Sequence, residues 1–203
     1  MAIADIANTK TNNKKGFEIM GIYVNGVPSG ENTTAVAASE VIDYTFDGSS
    51  NTATISLDVL VESKSFTVYV TGESADIDVT LWLRLNTDTG NNYDTCLVWL
   101  QHSGATHQDT GSDGPGKAYI PFASLSVGEG GGGRIQCINF KDPDNYKVLL
   151  GTGFYKVTIG GATNTQIGNA IWRSNAVVTS VTLLNSSGKN FSSTTKIRIV
   201  GGA

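Results

Sequence analysis

The two histidines, His102 and His107, come first for any chemistry, because Asp109 and Asp113 follow them in the same segment. Side chains five apart on a loop can converge on a metal, yet a zinc site needs a third and usually a fourth ligand. A catalytic histidine needs a nucleophile on one side and an orienting carboxylate on the other. Neither set is complete here, and polar surface histidines are expected. The segment from Asn86 to Asp94 places oxygen-bearing side chains at alternate positions around Gly90, as a loop wrapping a hard cation does. The opening Asp and closing bidentate Glu of an EF-hand are missing, so a hairpin loop whose Asx side chains bond their own backbone is expected. Asp76, Asp78, Asp142 and Asp144 would have to meet in space to act as paired carboxylates on a glycoside, and nothing in the sequence positions them. No catalytic, cofactor-binding or metal-ligating residue is assigned, and no cofactor is expected.

The run Gly128-Glu129-Gly130-Gly131-Gly132-Gly133 resembles a phosphate loop only in its glycines. That site needs a Lys and a Ser or Thr opening a helix, whereas Arg134-Ile135-Gln136-Cys137 reads as a strand. Gly114-Pro115-Gly116-Lys117 fails in the same way. Both glycine-bearing interruptions, Ser103 to Gly116 and Gly128 to Gly133, are expected to be exposed loops, the second either mobile or fixed against a neighbouring subunit. Three tryptophans and seven tyrosines offer flat faces for sugars. Trp82 and Trp99 sit in apolar runs that predict core positions, while Trp172, beside Arg173, is expected near the surface.

These residues need elements to hold them, and the dominant period is two. Ile55, Leu57, Val59 and Val61 alternate with more polar neighbours, as do Phe66, Val68 and Val70. Further strands are expected at Val79 to Leu85, Asp94 to His102, Lys117 to Phe122, Arg134 to Phe140, Lys147 to Leu150, Tyr155 to Ile159, Val177 to Leu184 and Lys196 to Val200. Each is bounded by Gly, Asn, Asp or Pro, the spacing of an all-β sandwich or barrel. Phe17 to Val24 predicts one earlier strand, and Ala35 to Ala38 alone tolerates a helical turn, too short to propagate. Residues 1–16 are polar with no repeating apolar face and read as an arm. Residues 17–54 either join the sandwich or extend away from it, and residues 55–203 form the β-sandwich domain. There is no internal repeat and no heptad pattern.

Composition narrows the partners. Charged residues make up 16% of the 203, the net charge is -4, and 24 glycines accompany many Thr, Ser and Asn. No basic field attracts phosphates, so nucleic acid is not an expected partner. Apolar runs such as Ala176 to Val178 fall far short of the ~20 residues that a spanning helix needs, so no membrane is expected. The first residues lack a basic start followed by an apolar stretch, hence no secretory signal and folding in a cytoplasm. Cys96 and Cys137 are expected as free thiols acting as small buried apolar groups, not as a disulfide.

From Phe66 onward, about two-thirds of the chain resembles a β-sandwich module of tail-fibre-like and decoration proteins of tailed bacteriophages. Phe66 to Glu73, Leu83 to Asp88 leading to Gly90 and Tyr93, and Gly133 to Gln136 carry the likeness. So does the closing stretch Ile171-Trp172-Arg173-Ser174, Val177 to Leu184, Asn185 to Phe191 and Lys196 to Gly201. Val200 stands where that group usually ends its last strand in an aromatic before Gly. The resemblance implies an all-β, antiparallel, jelly-roll-like sandwich with an extended N-terminal arm, no enzyme activity, and a place on the virion after assembly in the host cytoplasm.

Two placements follow. One is a capsid decoration (cement) protein, a homo-oligomer guessed to be a trimer, that clamps the major capsid protein. The other is a tail-associated fibre or receptor-binding module that contacts tail proteins and a host surface glycan. The expected partner contacts are Asn12, Asn13, Lys14 and Lys15 in the arm, His107 and Asp113 in one loop, Glu129 and Gly131 in the other, and Trp172.

Overall fold

The computed structural model describes residues 40–74, 79–101, 106–109, 119–128, 130–156 and 163–202. The arm residues Asn12, Asn13, Lys14 and Lys15, the strand expected at 17–24, the turn at 35–38, and His102, Asp113 and Glu129 lie outside them. Every regular element among the described residues is a strand. They are β1 (Val41–Thr45), β2 (Thr52–Ser56), β3 (Ser65–Gly72), β4 (Val79–Leu85), β5 (Tyr93–Gln101), β6 (Thr106–Asp109), β7 (Ile120–Leu125), β8 (Gly131–Ile138), β9 (Lys147–Lys156), β10 (Thr163–Trp172), β11 (Ser180–Asn185) and β12 (Lys196–Gly202). All pairings are antiparallel.

One run of strands goes β1-β12-β3-β8-β9-β10-β5-β6, and a shorter one goes β2-β11-β4-β7. A single pair, Ser124 with Gly132, joins β7 to β8. The sheet therefore curls over at β7, and its two runs enclose one core. Leu81, Leu83, Leu85, Val181, Leu183 and Ile55 come from the short run; Phe66, Val68, Val70, Ile135, Cys137, Ile197 and Ile199 come from the long one. Each such buried aliphatic or aromatic side chain contributes about 1.5–3 kcal/mol of transfer free energy.

Strand alternation decides which face each side chain takes. In β4, Val79, Leu81, Leu83 and Leu85 point inward, so Trp82 must point out. The core position expected for Trp82 is thus corrected: it is half-buried on the far face, stacked on Tyr119 with centroids 3.8 Å apart and planes at 11°. The strand expected over Ile55–Val61 ends at Ser56, where Leu57 N–H donates to Thr179 O and Leu60 N–H to Leu57 O in a turn. Leu57 and Leu60 are buried from that turn while Val59 and Val61 face solvent.

The exposed glycine loop is also corrected. Only Gly128 and Gly130 take the positive φ of a turn (66° and 73°), whereas Gly131, Gly132 and Gly133 lie in β8, paired to both β3 and β9. Their missing side chains let β7 come down onto the long run. A Cβ on Gly131 would lie 2.3 Å from Ser124 O, and one on Gly133 would lie 2.7 Å from the Ala123 Cβ. A Cβ on Gly153 of β9 would lie 2.8 Å from Ala123 Cα in the same way. For this reason the two strands expected on either side of Gly151 and Gly153 are one, β9.

Candidate functional site: the outer face of β3, β8, β9 and β10

Register puts side chains into rows on the outward face of the long run. Ile138 pairs with Val148, which pairs on its other side with Ile171. Gln136, Leu150 and Asn169 make the next row, followed by Tyr69, Arg134, Thr152 and Ile167. Seven of these and their neighbours are large apolar groups left in solvent: Tyr69, Ile138, Val148, Leu150, Phe154, Ile167 and Ile171, from 38% exposed at Ile138 to 54% at Phe154. Side chains directly opposite in such a sheet have Cβ atoms about 4.5–5.5 Å apart, so Ile138, Val148 and Ile171 form one apolar row, while Leu150, Ile167 and Tyr69 stand among Gln136, Asn169, Thr152 and Arg134.

A trough runs across this face around Arg134. One part, about 420 Å³, is walled by Tyr69, Thr71, Arg134, Thr152 and Phe154 over a backbone floor at Val70, Gly133 and Gly153. A second part, about 280 Å³, shares Arg134 and Thr152 and continues past Gln136, Leu150 and Ile167. Neither part is lined by an acidic residue, and no described residue hydrogen-bonds or ion-pairs with the Arg134 guanidinium. Beyond Tyr69, Asp43 shares another hollow with Lys196 and Arg198. Its carboxylate is taken by Arg198 in a fork, Nε to Oδ1 at 2.7 Å and Nη2 to Oδ2 at 3.0 Å. The Arg198 hydrogen bond holds the Asp43 carboxyl below the usual range.

The other expected site residues are placed differently. Trp172 is buried at 3%, not near the surface; as the last residue of β10 it points inward beside Tyr93, and its indole N–H is satisfied by Asp88 at 2.7 Å. Gly131 is buried under β7 and is not a loop contact. His107 is not in a loop as expected of Ser103 to Gly116: it lies in β6, opposite Trp99 in the β5–β6 ladder. Cys96, expected to be buried, is exposed, whereas Cys137 is buried and its thiol is pushed up to about 12 by that burial.

The oxygen-rich loop after β4 closes on itself. Asp88 accepts from Gly90 N–H at 2.8 Å, Asn92 Nδ2 at 2.9 Å and Trp172 Nε1. Burial pushes this carboxyl up, but the bonds from Asn92, Trp172 and Gly90, with Arg84 nearby, outweigh it and hold the group below the usual range. Asn86, at a positive φ of 51°, uses its side chain to accept from Thr179 and Ser180 N–H and to donate to Val177 O. Of the four carboxylates weighed for paired chemistry, Asp76 and Asp78 lie outside the described residues, and Asp142 is bound by Asp144 N–H and Asn145 Nδ2 within its own turn. Behind that turn Lys147, fully buried, donates to the carbonyls of Asp142, Asn145 and Asn175. Among the described residues, no three His, Cys, Asp or Glu side chains come together as a metal site.

Nothing in the sequence marked the outer face, since its rows are assembled from β8, β9 and β10 and β10 was not expected. The signal available was alternation in Val148, Leu150 and Phe154, with both sides of the strand carrying apolar groups. Compared with protein-family models, curated proteins and solved structures, the chain shows no significant match to any of them.

Proposed function

We propose that the protein is a structural component of the exterior of a bacteriophage particle, a jelly-roll-like β-sandwich that decorates the capsid as a homo-oligomer. The observation that carries this reading is the row Ile138, Val148 and Ile171, exposed on one sheet face beside the trough. Contiguous apolar surface of this kind is stable in water when a second surface covers it. A symmetric ring of copies buries the same row in every subunit, and a trimer is the simplest closed ring beyond a dimer. The polar arm at residues 1–16 would then reach the major capsid protein.

The test is uptake of purified protein by phage heads that lack it, set beside binding to host cell-wall polysaccharide, with mass by light scattering. Saturable uptake by heads and an oligomer that Val148→Glu dissociates support decoration. A monomer that heads do not take up removes it.

A second reading, a tail-associated receptor-binding module, is favoured by one observation, the acid-free trough beside Tyr69 and Phe154. Polysaccharide binding without head uptake would select it.

A further inference from the structure

We propose that the trough centred on Arg134 binds a carboxylate-bearing oligosaccharide, with the guanidinium holding the carboxylate and the Tyr69 and Phe154 rings packing on sugar faces. The inference concerns the ligand of this trough and holds whether the protein sits on the capsid or on the tail.

Charge supplies the first argument. The chain carries a net -4, yet this trough presents one cation, Arg134, with no described partner and no acidic lining. The carboxylate on the far side of Tyr69, Asp43, is already forked to Arg198 and cannot neutralise Arg134 as well. A guanidinium presents two parallel N–H donors that match a carboxylate, and such charge-assisted pairs are about twice as strong as neutral ones.

Shape and lining supply the second. Tyr69 lies directly across the β3–β8 ladder from Arg134, and Thr152 lies directly across on the β9 side. Phe154 stands two residues further along β9 on the same face, so a ring flanks the cation in each direction. Both rings are exposed, Tyr69 at 40% and Phe154 at 54%, and an exposed ring face offers the flat apolar surface that a sugar ring's C–H face covers. Thr71, Thr152 and Gln136 add hydroxyl and amide groups that pair with sugar hydroxyls. From the Leu150 level to the Phe154 level the trough is about 14 Å long at the ordinary strand rise, which suits a chain of sugars rather than one ring. The floor is backbone and the walls are short, so the site is an open trough that a polymer can enter from its side.

Three probes separate the sources of a carboxylate: oligogalacturonate, the same oligomer with its carboxyls methyl-esterified, and poly-glutamate. They would be titrated calorimetrically into the full chain. The expected result is saturable binding of oligogalacturonate, about tenfold or more weaker for the ester, with added salt weakening the acid form only. Poly-glutamate is expected to bind at least about tenfold more weakly, because it has no sugar face for the rings. Arg134→Gln should reduce oligogalacturonate binding to the level of the ester, Arg134→Lys should fall between, and Phe154→Ala should weaken acid and ester alike. Unfolding curves check that each variant is folded, and the Lys variant preserves the test if the Gln variant is not. Equal binding of acid and ester, equal binding of poly-glutamate, no binding at all, or full binding by Arg134→Gln would each overturn the proposal.

Discussion

The indole N–H of Trp172 donates to Asp88 over 2.7 Å, tying the end of β10 to the loop that joins β4 to β5. Tyr93 completes the junction: its hydroxyl accepts from Leu85 N–H at 3.0 Å and donates to Leu85 O at 3.3 Å, with the ring stacked near Trp172. The loop that first looks like a cation site is therefore a clasp, its ionised carboxylate satisfied by N–H donors.

That clasp predicts a pH dependence. The folded Asp88 carboxyl lies below its unfolded value of 3.8, so the stability it contributes is present above that value and is lost as pH falls through the folded one. Urea unfolding measured from neutral pH down to the acid limb should show a shallower acid loss in Asp88→Asn. At neutral pH, Trp172→Phe should cost roughly 1–3 kcal/mol by removing a donor from a half-buried carboxylate. A variant as stable as the parent at every pH would contradict this account.

Neighbouring glycines in β9 should respond in opposite ways. Gly153→Ala drives a methyl to 2.8 Å from backbone atoms of β7 and should destabilise by about 1–3 kcal/mol or more. Gly151→Ala meets nothing closer than 3.4 Å and should be nearly neutral. Thermal melts of the two single variants decide it, and similar melting temperatures would mean that β7 can retreat.

Lys147 is a buried ammonium whose partners are all carbonyls, so Lys147→Met should leave those acceptors unpaired. The expected loss is about 2–3 kcal/mol, read by denaturant midpoint at unchanged slope. Replacement without loss would show that water enters the Asp142–Asn145 turn to satisfy them.

The two thiols should differ sharply in reactivity. Thiolate is the reactive form, and burial raises the Cys137 thiol to about 12 whereas Cys96 is exposed. A colorimetric thiol reagent at mildly alkaline pH should label one group per folded chain and both after denaturation. Rapid labelling of both in the native state would mean frequent opening between β3 and β8.

Much of the strand framework was legible in the residues. The alternation in Val79–Leu85 and Phe66–Thr71 placed β4 and β3 within a residue, because one face of each is buried and the other is not. β10 was missed since Thr163-Asn164-Thr165-Gln166 and Asn169 carry no apolar alternation; its inward Gln166 is buried through a hydrogen bond to Ser124, a partner set by tertiary contact alone. Glycines misled for a related reason. A run of them signals a loop by its own conformational freedom, but here β7 needs the absent Cβ atoms, and that need lies in a strand far along the chain. Trp82 and Trp172 exchanged their expected places: Trp82 alternates with inward Leu81 and Leu83 and so faces out, and Trp172 ends a strand that no local pattern marked. The Arg134 trough was illegible for the same cause: its lining comes from four strands whose register no local pattern states.

The pairing of β1 with β12 has a consequence for the order of synthesis. Tyr44 lies opposite Ile197, and Val68 of β3 lies opposite Ile199, so β12 fills the gap between two strands made far earlier. A growing chain that has released β1 and β3 carries open strand edges, which are surfaces for wrong pairing, until β12 emerges. Tyr69, one wall of the trough, rides on β3, held on one edge only until then. That wall is therefore fixed only after β12 has been made, and conditions that slow the ribosome between β8 and β12 prolong the interval in which newly made chains are prone to stick to one another.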